Sequence, residues 1–237
     1  MCRHLAWLGE PRSLAELMLF PTHGLLRQSY QPRRQLRGIM NADGWGAGFF
    51  AGDAPRSEPV RWRSSRPLWG DTSFASVAPH LRSGAVVAAV RSASLEMPMD
   101  ESAAPPFTDG RVLLSHNGRM ERTTLPDLPA TTVPESVCDS ALLAEHVYAG
   151  GTDRAQDVAA TVLDLAARDP QASLNLLLHD GTRIIGVTWG DPASYLVTRA
   201  GVAVASEPWD EDPAWIDVPD RHLIEVTPAG VTVTPLH

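Results

Sequence analysis

The grouping of apolar segments constrains this chain most. Short apolar runs of strand length fill the first half and the last third, and the two longest stretches with helical spacing stand side by side between them. Arg3 to Leu8, Trp45 to Phe50, Val60 to Arg63 and Gly84 to Arg91 read as strands, the last (GAVVAAVR) as a strongly buried one. Val112 to Ser115 is a further strand, running into His116-Asn117-Gly118 at its end. Ser136 to Ala149 and Thr152 to Arg168 read as consecutive amphipathic helices on either side of Gly150-Gly151. Ser173 to His179 and Arg183 to Trp189 flank Asp180-Gly181, a type I′ hairpin signal. Tyr195 to Thr198, Val202 to Ser206, Leu223 to Val226 and Val231 to Val233 complete the strand pattern. Shorter helices are expected from the capping box Ser13-Leu14-Ala15-Glu16 through Phe20, and over Thr72 to Arg82. A second capping box is expected at Ser136 and Asp139, and residues 21–44 and 92–108 read as loops. Helices bunched between blocks of hairpin-linked strands imply an α+β layered fold.

Charge excludes several functions. The formal net charge is −8, whereas binding to nucleic acid requires a basic face. No apolar stretch approaches the roughly 18 residues of a membrane-spanning helix. Met1-Cys2-Arg3-His4 lacks the basic-then-apolar signature of a secretory signal, so a cytoplasmic location is expected. Neither nucleic acid nor membrane is expected as a partner, and the oligomeric state is left open. In a reducing compartment the two cysteines, Cys2 and Cys138, are not expected to form a disulfide. They cannot make a four-cysteine zinc site, and the eight histidines show no metal-ligand spacing. Neither a metal nor a cofactor is expected.

Four places carry candidate chemistry. Cys2 follows the initiator Met directly, and removal of Met1 would free an α-amine on the residue that owns the thiol. Such an amine has a pKa of roughly 7.7–8.0, so it can take the thiol proton and return it to a leaving amine. The competing reading is a cysteine buried in the first strand. Asn117 and Gly118 offer a side-chain amide and a backbone N–H to a tetrahedral oxyanion. They would serve equally as an ordinary Asn-Gly turn. Arg91, at the end of a buried strand, suits a substrate carboxylate; the competing reading is a surface or structural arginine. Asp139, at a helix start, suits a substrate ammonium or the capping box.

Together these residues resemble the class II glutamine amidotransferase domain of the N-terminal nucleophile hydrolases. The motifs occur in the family's order: Cys2, Asn41-Ala42-Asp43-Gly44-Trp45-Gly46, Arg91-Ser92-Ala93-Ser94, His116-Asn117-Gly118 and Asp139-Ser140. The resemblance implies one domain over residues 2–237. It also implies a four-layer α/β/β/α sandwich with two mostly antiparallel sheets between helical layers. By resemblance, Cys2 attacks a γ-glutamyl amide and forms a thioester, with Asn117 and Gly118 as the oxyanion donors. Arg91 would hold the glutamyl α-carboxylate and Asp139 its α-ammonium. Ser94 stands where the family often has Thr and keeps a hydroxyl for the glutamyl group; His116 is placed with these substrate-binding residues. Asp43 and Gly46 match structural positions and are given no chemistry.

Within that class, Cys2-Arg3-His4-Leu5-Ala6, Gln28-Ser29-Tyr30, Pro32-Arg33-Arg34-Gln35, Ala88 to Ala93 and Asp100-Glu101-Ser102 are similar to the stand-alone γ-glutamyl hydrolases of ergothioneine biosynthesis. This implies a small-molecule γ-glutamyl substrate whose leaving part carries an imidazole, a trimethylammonium and a carboxylate. Trp45, Trp62, Trp69, Trp189, Trp209 and Trp215 are candidate faces for the cation, and Arg33 and Arg34 candidates for the carboxylate. A free glutaminase, or a glutaminase subunit of an amidotransferase, would share every glutamyl contact. A non-enzymatic binding domain would keep Cys2 buried and inert.

Overall fold

A computed structural model describes residues 2–51, 58–94 and 96–237. The expectation for Met1, and the part of the 92–108 loop at residue 95, lie outside the described residues. In chain order the strands are β1 (Arg3–Ser13), β2 (Trp45–Phe50), β3 (Pro59–Ser64), β4 (Arg82–Val90), β5 (Phe107–Thr108), β6 (Leu113–Arg119) and β7 (Ser173–His179). They continue with β8 (Ile184–Thr188), β9 (Ala193–Thr198), β10 (Gly201–Ala205), β11 (Ile216–Val218), β12 (His222–Thr227) and β13 (Gly230–Pro235). The helices are α1 (Leu14–Met18), α2 (Leu25–Gln28), α3 (Thr72–Val77), α4 (Asp139–Gly150) and α5 (Ala155–Arg168).

Among the described residues these strands form two sheets. One has seven strands in the order β11-β9-β10-β1-β4-β2-β3, the other six in the order β13-β12-β8-β7-β6-β5. Every pairing is antiparallel, β1 with β4 and β10 at the centre of the first sheet and β6 with β7 in the second. Alternation along the strands sorts the side chains into three cores. Leu5, Trp7, Trp45, Val86 and Ala88 pack under α1, α2 and α3 with Leu14, Leu17, Leu25 and Phe74. Leu114, Leu174, Leu176 and Leu178 pack under α4 and α5 with Leu143, Val147, Val162 and Leu165. Ala6, Val87, Leu113, Leu177, Ile184, Val204 and Ile224 fill the space between the sheets. The result is the expected four-layer α/β/β/α sandwich.

Several boundaries differ from the sequence reading, each for a local reason. Ser13 does cap α1, its hydroxyl accepting from the Glu16 N–H at 3.1 Å while the Glu16 carboxylate accepts from the Ser13 N–H at 2.7 Å. The second capping box does not form: α4 starts at Asp139 with Cys138 as N-cap. The Asp139 carboxylate instead accepts from the Met120 N–H across the fold. The helix α3 stops at Val77, two residues before Pro79, and Arg82 already pairs with Ser13 on β1. The loop 21–44 contains α2, whose register is held by a Gly24 N-cap rather than by any apolar period. The helix α5 begins at Ala155, because the Thr152 and Asp153 carbonyls accept from the Arg183 guanidinium at 2.8 and 2.7 Å. Asp180-Gly181 opens a four-residue loop instead of a two-residue turn. There Asp180 Oδ1 accepts from the Thr182 and Arg183 N–H groups, and His179 pairs with Ile184. Two short strands, β5 and β11, carry too little sequence pattern to be read.

His179 joins the sheets. Its Nε2–H donates to the Trp7 carbonyl on β1 at 3.1 Å, and its Nδ1 accepts from the Gly181 N–H at 3.0 Å. Burial lowers its pKa from 6.5 to about 4, opposed by Asp180 and by the Trp7 carbonyl. The unfolded chain therefore binds a proton that the folded chain refuses. This contribution to stability is intact above about pH 6.5 and is lost as the pH falls towards 4. In His179→Gln, the slope of unfolding free energy against pH between 6.5 and 4 is expected to be shallower by up to about 1.4 kcal/mol per pH unit. Denaturant titrations at several pH values check this, and an unchanged slope contradicts it.

Candidate active site

The pairing of β1 with β4 fixes the position of Cys2. Arg3 stands opposite Val90, so residue 2 lies beside the segment leaving β4. The Cys2 thiol points at the Ser92 carbonyl, 4.0 Å away, and the residue is 7% exposed. The neighbouring loop is laced to the same segment. The Asp43 N–H donates to the Arg91 carbonyl at 2.9 Å, and the Arg91 N–H to the Gly44 carbonyl at 2.8 Å. Asp43 Oδ2 accepts from the Ala93 N–H at 2.8 Å, and Arg91 Nη1 donates to the Asp43 carbonyl at 3.2 Å. Gly44 sits at φ +115°, where a side chain is strained, and Gly46 lies so close to the Pro105 carbonyl that a Cβ would fall 2.3 Å from its oxygen. Asn41 ties the loop back to α2, its Nδ2 donating to the Gln28 carbonyl at 2.8 Å. The NADGWG motif thus has a structural role, holding Arg91 to Ala93 in place next to the thiol.

Across the inter-sheet space, β6 continues through the whole His116-Asn117-Gly118 motif, which pairs with Leu176, Asn175 and Leu174 of β7. The motif lies within a strand, not at its end, because β7 extends far enough to bind it. Alternation then divides its side chains. Ser115 and Asn117 face the other sheet: Ser115 Oγ lies 3.2 Å from His4 Nδ1, and Asn117 Nδ2 lies 3.3 Å from Ser206 Oγ. Leu113 shares the inter-sheet core with Ala6, and Ser115 meets His4, so Asn117 continues the row towards Cys2. His116 faces the helical layer. Its Nε2 bonds the Ser173 carbonyl at 2.8 Å and its Nδ1 the Ser140 hydroxyl at 2.9 Å. A carbonyl only accepts, so Nε2 carries a proton and donates to Ser173. Both nitrogens are engaged within the protein, and His116 fastens β6 to the first turn of α4.

That first turn carries Asp139. Its Oδ2 accepts from the Met120 N–H at 3.2 Å and its Oδ1 from the Ser140 N–H at 2.9 Å, the favourable end of a helix for a carboxylate. Asp139 and Ser94 line one cleft of about 440 Å³ with Glu96, Met97, Arg119, Met120, Glu121 and Arg122. The chain segments 91–94 and 117–120 thus run from the thiol and the Asn117 amide into that cleft. Among the described residues no tryptophan lines it: Trp45 is buried against Phe74, and Trp209 packs against Trp215. Arg33 and Arg34 meet carboxylates of this chain, Glu211 at 2.5 Å and Asp217 at 2.6 Å. Among the described residues, no group of three or more His, Cys, Asp or Glu is arranged to hold a metal ion, and no helix is long and apolar enough to cross a membrane.

Three residues here were given no role in the sequence reading. His4 and Ser206 are buried beside Asn117; they are ordinary members of apolar strands and give no signal of their own. Burial lowers the His4 pKa to about 3, with the Arg3 charge acting in the same direction, so its ring is neutral at physiological pH. Arg3 is fully buried, and its Nε donates to the Cys2 carbonyl at 3.0 Å. Desolvation lowers its pKa, opposed by Glu207 and Asp191.

The chain is 56% identical over 236 residues to the gamma-glutamyl-hercynylcysteine sulfoxide hydrolase of Mycobacterium tuberculosis, covering 100% of this chain and 97% of that protein. It belongs to the γ-glutamyl-hercynylcysteine sulfoxide hydrolase family. The protein of the same name from Mycolicibacterium smegmatis is 55% identical, with both chains covered in full. No protein-family model matches the chain. Among solved structures, a glutamine aminotransferase class-II domain protein from Silicibacter pomeroyi superposes with a TM-score of 0.68 at 20% identity, over 100% of each chain. The fold is therefore that of the class II glutamine amidotransferases, and the chain is an amide hydrolase like its family.

Gly118 is the tightest point of the site in this family member. A Cβ there would fall 1.8 Å from the Ser173 carbonyl oxygen and 2.6 Å from His116 Nε2. Gly118→Ala must push β6 from β7 and disturb the His116 bond. It is expected to cost at least about 1–3 kcal/mol and to abolish turnover. Thermal unfolding and an activity assay check this; a wild-type Tm would contradict the close approach.

Proposed function

We propose that the chain removes glutamate from γ-glutamyl-hercynylcysteine sulfoxide, and that residues 2–237 act as one catalytic domain for this step of ergothioneine biosynthesis. Full-length identity with relatives of that name carries the reading, and the chemistry at the mouth of β1 agrees with it. Removal of Met1 leaves Cys2 with a free α-amine. That amine takes the thiol proton, and the sulfur adds to the γ-carbonyl carbon. The oxyanion that forms accepts from Asn117 Nδ2 and the Gly118 N–H. As the tetrahedral intermediate collapses, the C–N bond breaks and the α-ammonium returns the proton to the leaving nitrogen. Water then adds to the thioester, and glutamate departs as the thiol is restored.

The glutamyl head needs a cation and an anion. Arg91 pairs with the α-carboxylate, and Asp139 with the α-ammonium, aided by the Ser94 hydroxyl. The sign of each pairing follows from the charge it meets. His116, bonded through both ring nitrogens, acts behind them, holding Ser140 and the turn that presents Asp139. The cleft also offers the apolar Met97 and Met120 among charges of both signs, Glu96 and Glu121 with Arg119 and Arg122, Arg119 lying 3.7 Å from Glu121.

Intact-mass measurement followed by separate incubation with the γ-glutamyl-hercynylcysteine sulfoxide and with glutamine tests the reading. Loss of Met1 and preferential release of glutamate from the first substrate are expected. Preference for glutamine would replace the leaving-group assignment with a glutaminase, and no glutamate from either would favour a binding domain. Cys2→Ala is expected to abolish turnover while keeping the fold by circular dichroism. Arg91→Ala is expected to raise KM about 10- to 100-fold for every γ-glutamyl compound, the loss of a charge-assisted pair. An unchanged KM across several leaving groups would remove Arg91 from the carboxylate role.

A further inference from the structure

One buried hydroxyl is placed to decide what the Asn117 amide can do. Ser206 follows β10 directly and lies opposite His4 on β1. The His4 N–H donates to Ser206 Oγ at 3.0 Å, and the Ser206 N–H donates to the His4 carbonyl at 2.9 Å. Asn117 Nδ2 lies 3.3 Å from the same Oγ. Asn117 and Ser206 are wholly buried. Among the described residues, Asn117 Oδ1 has no hydrogen-bond partner.

A serine hydroxyl has one proton to give and two lone pairs. The His4 N–H fills one lone pair, and a second donor on the same oxygen leaves the proton unused. Meanwhile a buried carbonyl oxygen stands unpaired, which costs a group of this kind about 1–3 kcal/mol. Turning the carboxamide end for end resolves both. Oδ1 then takes the Ser206 proton, and Nδ2 takes the place that Oδ1 held, with its protons turned away from Ser206. The two ends of a carboxamide are equal in shape, so only its partners decide which way it lies.

We infer that Ser206 is a positioning residue: clamped by the His4 backbone N–H, its hydroxyl donates to Asn117 Oδ1 and holds Nδ2 towards the oxyanion. This rests on the proposed role of Asn117 and extends it to a partner on the opposite sheet. The β1–β10 ladder that presents Cys2 thereby also sets the orientation of the amide that answers it. Ser206 touches no substrate; its effect passes through Asn117.

Steady-state kinetics on the processed protein with the γ-glutamyl substrate test this. Ser206→Ala is expected to lower kcat about 10- to 100-fold with KM nearly unchanged, as misplacement of an oxyanion donor does. The loss should vanish in the Asn117→Ala background, where Ser206→Ala adds nothing. Losses that multiply in the double variant would overturn the inference, as would a lowered Tm with wild-type kcat. An Asn117→Ala protein with unchanged kcat would instead remove Asn117 from the oxyanion role, and the inference with it. Should Ser206→Ala fail to fold, Ser206→Cys fills the site with a somewhat larger group that is only a weak donor and is expected to show the same kcat loss; wild-type kcat in that variant overturns the proposal.

Discussion

The antiparallel pairing of β1 with β4 is the interaction on which the rest depends. It lies at the centre of the seven-stranded sheet, with Arg3 opposite Val90 and Trp7 opposite Val86. From Arg3 to Leu8 the ladder keeps one register, shifting only between Leu8 and Arg12; a slip by one residue there would send every apolar side chain to the wrong face. That ladder brings residue 2 to residues 91–92, which are distant in sequence. The loop at Asp43 and Gly44 then bonds to the same segment from the far side. A residue near the start of a chain is otherwise prone to fray; here Cys2 leads directly into a strand enclosed on both sides.

The space between the sheets changes character along its length. Ala6, Val87, Leu113 and Ile224 make one part dry and apolar. Towards Cys2 the row becomes His4, Ser115, Asn117 and Ser206, all buried and joined by hydrogen bonds. Polar groups removed from water must be paired, so these residues hold one another in fixed orientations. Such a layer lacks the adaptability of an apolar core. It suits a place where an amide must face a developing charge without reorganising. On the other face of β6, His116 ties the strand to α4 and so links the Asn117 side of the site to the Asp139 side.

The strongest strands were legible because each is buried on both faces or alternates cleanly; Trp45–Phe50 and Ser173–His179 have the expected limits. The capping box at Ser13 was legible because it is a local exchange of two hydrogen bonds. Where a local signal met a distant partner, the partner prevailed. Asp139 left its capping box for the Met120 N–H, and Thr152 and Asp153 gave up helix for the Arg183 guanidinium. The His116 motif became strand because β7 continues alongside it. Ser206 and His4 were invisible as site residues, since a serine or histidine in an apolar strand has no spacing that marks it.

The sequence by itself determined the layered class, the positions of the main strands, and the types of group available for the chemistry: a thiol, an amide, a cation and an anion. Those follow from side-chain periodicity and from functional groups, which are properties of short stretches. Only the tertiary structure decided which of these groups face one another. Sheet pairing sets that: it brings Cys2 to Ser92, and Ser206 to both His4 and Asn117, through hydrogen bonds whose partners lie as far as 202 positions apart. No local pattern contains such distances, because the register of a ladder is set by burying both sheet faces at once.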